Sequence, residues 1–246
     1  MRSKKIISII MALSIIGTTS LSFGMTAKAM ELNNNRVYSS TVESDLNVTV
    51  SSNGVFSWNS VSGATKYLFY LNKINSNTDL QNTCIPKTYT PNTKIDGSSS
   101  ISSLGFGVYA FYLYAIDSDY KTTGEKFGYI YYNGATCQML GDGYNLKLNP
   151  QISLKGEFGF CEKISGATKY RFQLSSETSS IMDKYSTDTK CYNYGAWIEG
   201  YGKYNLLVTA YDSNNNVIKK EMSYYKYELG PSGIPMLSLI GQWNVE

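Results

Sequence analysis

The chain states one phrase twice, and that duplication limits its fold more than any other feature. Residues 54–70 read GVFSWNSVSGATKYLFY and residues 156–172 read GEFGFCEKISGATKYRF, with Ser-Gly-Ala-Thr-Lys-Tyr at 62–67 and again at 165–170. A second pair of segments follows in the same order. Residues 107–118 (GVYAFYLYAIDS) align without a gap on residues 202–213 (GKYNLLVTAYDS). The separation is 103 residues at Gly63 and Gly166 but 95 at Tyr109 and Tyr204, so the second copy is shorter between the two phrases. Repetition at this scale means a duplicated structural unit. Its length change belongs in loops, because a strand that gains or loses one residue turns its side chains to the other face.

Within each copy the apolar pattern has period two. Tyr109, Phe111, Leu113 and Ala115 share one face of a strand, while Ala110, Tyr112, Tyr114 and Ile116 share the other. Tyr204, Leu206, Val208 and Ala210 alternate in the same way with Asn205, Leu207, Thr209 and Tyr211. Short alternating runs rich in aromatic and β-branched residues, broken by Asn, Ser and Gly, read as strands. No stretch after residue 29 shows a helical period. The sequence predicts an all-β chain of two tandem sandwiches.

Residues 1–29 stand apart. Arg2, Lys4 and Lys5 precede an apolar run from Ile6 to Ile16, and Ala27-Lys28-Ala29 closes the segment. This is the layout of a cleaved secretory signal peptide, and the apolar run is short for a membrane span of about 20 residues. The segment holds four basic residues and no acid, so its removal leaves 18 basic against 19 acidic residues. The basic balance of the whole chain therefore vanishes in the exported one. No cationic field remains to favour nucleic acid, and no later stretch would insert the mature chain in a membrane. The first unit is placed at residues 44–134 and the second at 144–228, with a turn-rich linker between them and a tail at 229–246.

Phe56 and Trp58, followed by Val61-Ser-Gly-Ala-Thr-Lys-Tyr67, resemble strands B and C of a fibronectin type III domain. Tyr109-Ala-Phe-Tyr-Leu-Tyr-Ala115 resembles strand F of that family. The resemblance covers most of both copies and implies two tandem fibronectin type III-like β-sandwiches. In the second copy Phe160 stands where Trp58 stood, and the proline that the family carries before strand F is absent from both. The inward set becomes Phe56, Trp58, Tyr67, Phe69, Phe111 and Leu113 in the first unit. In the second it becomes Phe158, Phe160, Tyr170, Phe172, Leu206 and Val208.

Function is read partly from what is missing. The chain has no histidine, which removes Ser-His-Asp and Cys-His nucleophiles and two-His metal centres. Cys84, Cys137, Cys161 and Cys191 lack Cys-x-x-Cys spacing, so no metal site is expected, and no cofactor. Cys161 is placed on the outer face of strand B and Cys191 where strand E would run beside it, which makes a bridge between them geometrically possible. Carboxylates remain for catalysis: Asp117 and Asp119 with Glu125, and Asp183 with Glu177, leave a residual glycoside hydrolase reading. The favoured reading is a secreted, non-enzymatic binding protein recognising an extracellular protein or polysaccharide, with a structural spacer of a cell-envelope assembly as the alternative. The alternation places Tyr70, Tyr112 and Tyr114 together on the outer face of the first unit, a candidate ligand platform. The matching positions of the second unit, Arg171, Gln173, Leu207, Thr209 and Tyr211, are more polar.

Overall fold

The computed structural model describes residues 46–75, 82–143, 145–153, 158–192 and 200–245. The proposed signal peptide lies outside the described residues.

In the first unit β1 (Val48–Val50), β2 (Val55–Trp58) and β5 (Lys94–Asp96) form one sheet in the order β1-β2-β5. The other sheet contains β3 (Lys66–Lys73), β4 (Asn82–Thr90), β6 (Gly107–Ile116), β7 (Thr122–Tyr132) and β8 (Cys137–Leu140), in the order β4-β3-β6-β7-β8. The second unit repeats this plan. Its small sheet is β9 (Gln151–Ser153), β10 (Phe158–Phe160) and β13 (Lys190–Tyr192), in the order β13-β10-β9. Its large sheet holds β11 (Lys169–Ser176), β12 (Ser180–Ser186), β14 (Gly202–Tyr211), β15 (Val217–Leu229) and β16 (Pro235–Asn244), in the order β12-β11-β14-β15-β16. An A-B-E sheet over a C′-C-F-G sheet, twice, is the fibronectin type III arrangement, and each large sheet gains a fifth strand at its G edge. Each unit is a fibronectin type III-like β-sandwich.

The first core follows the expected parity. Phe56, Trp58, Tyr67, Phe69, Phe111 and Leu113 are buried in one cluster. Phe56 packs 4.9 Å from Phe69 across the two sheets, and Trp58 stacks on Phe69 at 5.9 Å. Each strand F begins with a tyrosine corner. The Tyr109 hydroxyl donates to the carbonyl of Gly105, and the Tyr204 hydroxyl donates to that of Gly200 at 2.6 Å. This feature ties the E–F crossover to the sandwich without the missing proline.

Strand B of the second unit departs from the sequence expectation. Phe160 is only half-buried and lies outside the core, whereas Cys161 is buried within it. Gly159 also faces inward: a Cβ there would sit 3.2 Å from the Leu206 methyls and 3.4 Å from the Phe172 ring. The equivalent of Trp58 is therefore Cys161, as the hydrogen bonds show. Trp58 N–H donates to Thr93 O at 3.0 Å and Cys161 N–H donates to Thr189 O at 2.9 Å. The second copy has one extra residue between its opening Gly and the repeated phrase, and that single residue inverts the alternation. Of Phe158 only the backbone is described.

A helix also forms where none was expected. α1 (Ser98–Leu104) spans seven residues of the E–F connection. Its serines give no helical signal, and at this length it is not stable alone. Burial of Ile101, 1% exposed, holds it against the core.

The segment after residue 229 is part of the second sheet. β16 pairs with β15 from Leu229↔Pro235 to Glu221↔Asn244, and its end meets the first unit through Leu140↔Val245. The outer faces of the two large sheets then pack on each other. Phe106, Val108, Ala110, Tyr112, Tyr131 and Leu140 share a third apolar cluster with Met222, Tyr224, Ile240 and Trp243.

Candidate ligand-binding face

The three tyrosines singled out from the alternation lie together on the outer face of the first large sheet. Register sets Tyr70 opposite Tyr112 and Leu68 opposite Tyr114. The Tyr70 ring stacks 4.5 Å from Tyr112 and 6.4 Å from Tyr114. The row continues through Phe127, 4.8 Å from Tyr112, and Tyr129, 4.8 Å from Phe127, to Trp243 of the second unit at 5.3 Å. Contacts of this kind between rings contribute roughly 0.5–1.5 kcal/mol each beyond area burial.

Exposure divides the row. Tyr112 is only 9% exposed, because the second unit closes over that end of the sheet. Tyr70, Tyr114 and Tyr129 are half-buried, and Phe127 is exposed. The Lys87 ammonium stands 5.6 Å above the Tyr70 ring. The free part of the face is thus a strip of stacked aromatics edged by a cation.

The matching face of the second unit is polar and internally paired. The Arg171 guanidinium donates to both oxygens of Asp183, at 2.8 and 2.7 Å, and Gln173 Nε2 donates to the same carboxylate at 3.3 Å. The arginine holds the Asp183 carboxyl below its usual range. The other carboxylate group singled out from sequence is a turn. Asp117 Oδ1 accepts from the Asp119 and Lys121 N–H groups at 2.9 and 2.8 Å, and Asp119 lies 4.0 Å from the Lys121 ammonium.

The four cysteines are buried free thiols. Register places Cys191 opposite Gly159, so Cys161 lies two residues further on, diagonal to Cys191 rather than across from it. Burial pushes the Cys161 thiol up to about 12. Among the described residues no group of three His, Cys, Asp or Glu side chains could hold a metal, and no helix is long and apolar enough to cross a membrane.

The repeated lysine of the twice-stated phrase has a role that sequence reasoning missed. Lys66 lies 3.3 Å above the Tyr120 ring and 5.7 Å from that of Tyr89. Lys169 lies 5.1 Å from Tyr185 and 5.3 Å from Tyr211. Its recurrence in both copies was the available signal.

No protein-family model matches the chain, and no curated protein sequence does. Among solved structures, the two-domain fibronectin type III segment of chicken tenascin is 10% identical over 80% of this chain and 98% of its own, with a TM-score of 0.23. A tetra-tandem repeat from the extending region of a large adhesion protein is 11% identical over 81% of this chain and 64% of its own, also at 0.23. The fold assignment rests on the strand order and the paired tyrosine corners.

Proposed function

We propose that the protein is an exported, non-catalytic binding protein that recognises an extracellular protein or polysaccharide through the first unit. The observation that carries this reading is the aromatic strip beginning at Tyr70 and Tyr114. It stacks ring on ring and remains partly open, while the equivalent face of the second unit is filled by the Arg171–Asp183–Gln173 network. Tyrosine offers wide, stiff contact area at low entropic cost, which suits recognition surfaces. A spacer would set its domains end to end. Here the two large sheets meet face to face, which favours a compact binding unit.

The test uses the mature chain, immobilised and presented to a glycan array and to purified matrix proteins. Tyr70→Ala with Tyr114→Ala is expected to abolish the binding found, with only a modest fall in melting temperature. Tyr112 is left in place because it also packs between the units. Unchanged affinity in the folded double variant removes this face. Export is checked separately: N-terminal sequencing of the secreted product is expected to begin at or near Met30, and recovery of Arg2 to Lys5 on a retained product contradicts it.

A further inference from the structure

The two lysine–tyrosine clusters share a repeated lysine and one equivalent tyrosine, while the second ring differs: Tyr120 of the turn in the first and Tyr211 of the strand in the second. Lys66 and Lys169 hold the same place in the repeated phrase, and strand register places a tyrosine equivalently beside each: Tyr89 opposite Leu68, and Tyr185 opposite Arg171. The F–G turns beneath them are also equivalent. Asp117 N–H donates to Lys121 O at 3.0 Å and Asp212 N–H donates to Asn216 O at 3.0 Å. Each turn has one residue in the left-handed region, Tyr120 at φ 63° and Asn215 at φ 66°. Asparagine is at home there, but a bulky tyrosine is strained. Tyr120 nonetheless lies against Lys66 and remains 74% exposed, so core packing does not explain the strain. Tyr89 and Tyr185 are 59% and 57% exposed. Among the described residues neither lysine forms an ion pair. Lys169 donates instead to Asn215 Oδ1 at 2.6 Å.

We propose that these clusters are paired subsites for a carboxylated polysaccharide. Exposed tyrosine faces stack on the C–H faces of sugar rings, and the lysine between them receives the ring carboxylate. A neutral sugar would cover the ammonium without neutralising it. Two such clusters on one chain suit a ligand that repeats its own chemistry, because a polymer that engages both multiplies two weak affinities. The proposal rests on the reading of the chain as a binding protein, but it uses residues apart from Tyr70, Tyr112 and Tyr114.

The test is affinity electrophoresis of the mature chain in gels containing polygalacturonate, neutral dextran or heparin. Retardation by polygalacturonate and not by dextran is expected. Lys66→Ala with Lys169→Ala is expected to weaken it at least tenfold, as is Tyr89→Ala with Tyr185→Ala, while Lys66→Arg with Lys169→Arg retains most of it. Thermal melts confirm that the variants are folded. Absence of retardation overturns the proposal, as does retardation that survives both alanine pairs. Equal retardation by heparin, indifferent to the tyrosine variants, also overturns it, because that is simple ion exchange. Loss only in Tyr70→Ala with Tyr114→Ala moves binding to the aromatic strip, which overturns this inference and keeps the proposed function.

Discussion

Trp58 and Cys161 occupy the same place in the two sandwiches, so each core can be probed by one residue. Trp58 is 6% exposed and stacks on Phe69, yet its indole N–H has no hydrogen-bond partner. Its contribution is therefore packing. Trp58→Ala is expected to cost roughly 3–5 kcal/mol in denaturant melts. Trp58→Phe is expected to cost much less, because it removes an unsatisfied donor along with part of the ring. Equal losses for the two variants would mean that the indole N–H contributes. Titrating side chains add a second expectation. Burial pushes Cys84 and Cys161 up to about 12 and Cys137 up to about 11, from the 9.0 of an ordinary thiol. It pushes Tyr225 up to about 12 and Tyr224 well above 10.0. Unfolded thiols and phenols then release protons that the native ones retain, so their contribution is complete below about pH 9 and is lost as pH rises toward 12. Lys73 and Lys220, pushed down by burial, work in the opposite direction as pH rises toward 10.5, but they are two groups against several. Melting temperature is expected to fall steadily from pH 9 upward, and a flat profile to pH 11 would contradict this.

Among the elements, the entry segment of the second unit is tied to the last two strands through one carboxylate. Glu221 on β15 is completely buried, and its oxygens accept the N–H groups of Lys147, Leu148 and Asn149 at 2.7, 2.9 and 2.9 Å. Beside it, Gln242 of β16 donates to Asn149 Oδ1 at 2.9 Å and to Pro150 O at 3.1 Å. Glu221→Leu would leave three N–H groups without an acceptor, at about 1–3 kcal/mol each. Amide exchange at 147–149 is expected to accelerate by orders of magnitude, and Glu221→Gln to lose less. Unchanged exchange in the leucine variant would show that residues 147–149 are held by other contacts. The strand plan was legible in the sequence because Phe69, Phe111 and Leu113 alternate cleanly with Tyr70, Tyr112 and Tyr114. The inversion at Cys161 was not, because the opening Gly and the repeated phrase give two anchors that differ by one residue. Glu221 gave no signal either, since its partners lie more than 70 positions away. The burial of Tyr112 was hidden for a different reason. Alternation shows that a side chain points away from its own core, and says nothing of what covers it from outside.

At the scale of the whole molecule, the question is how far the two sandwiches depend on each other. The sequence expectation is that residues 30–140 and 141–246 fold separately, and each unit does have its own core. Yet Phe106 meets Tyr131 edge-on at 5.6 Å and Tyr224 at 6.2 Å, and Trp243 packs 5.3 Å from Tyr129. Polar contacts close the same joint: Gly141 N–H donates to Asn244 O at 2.9 Å, and Lys203 Nζ donates to Asn75 Oδ1 at 2.8 Å. Cutting the chain at 140 exposes Val108 and Tyr131 on one fragment and Met222, Ile240 and Trp243 on the other. Large apolar side chains freed in this way lose about 1.5–3 kcal/mol each relative to burial. Each fragment is expected to show a β-rich circular dichroism spectrum and a cooperative melt, below that of the intact chain. Mixing the two is expected to raise both transitions as the sheet faces re-form. Trp243→Ala in the second fragment should weaken that recovery without abolishing its own melt, because Trp243 belongs to the shared cluster and not to the core of its own sandwich. If neither fragment melts cooperatively, the duplicated sequence encodes one interleaved fold. If both melt at the temperature of the intact chain, the buried aromatic joint contributes nothing to stability, and the units are independent in energy as well as in topology.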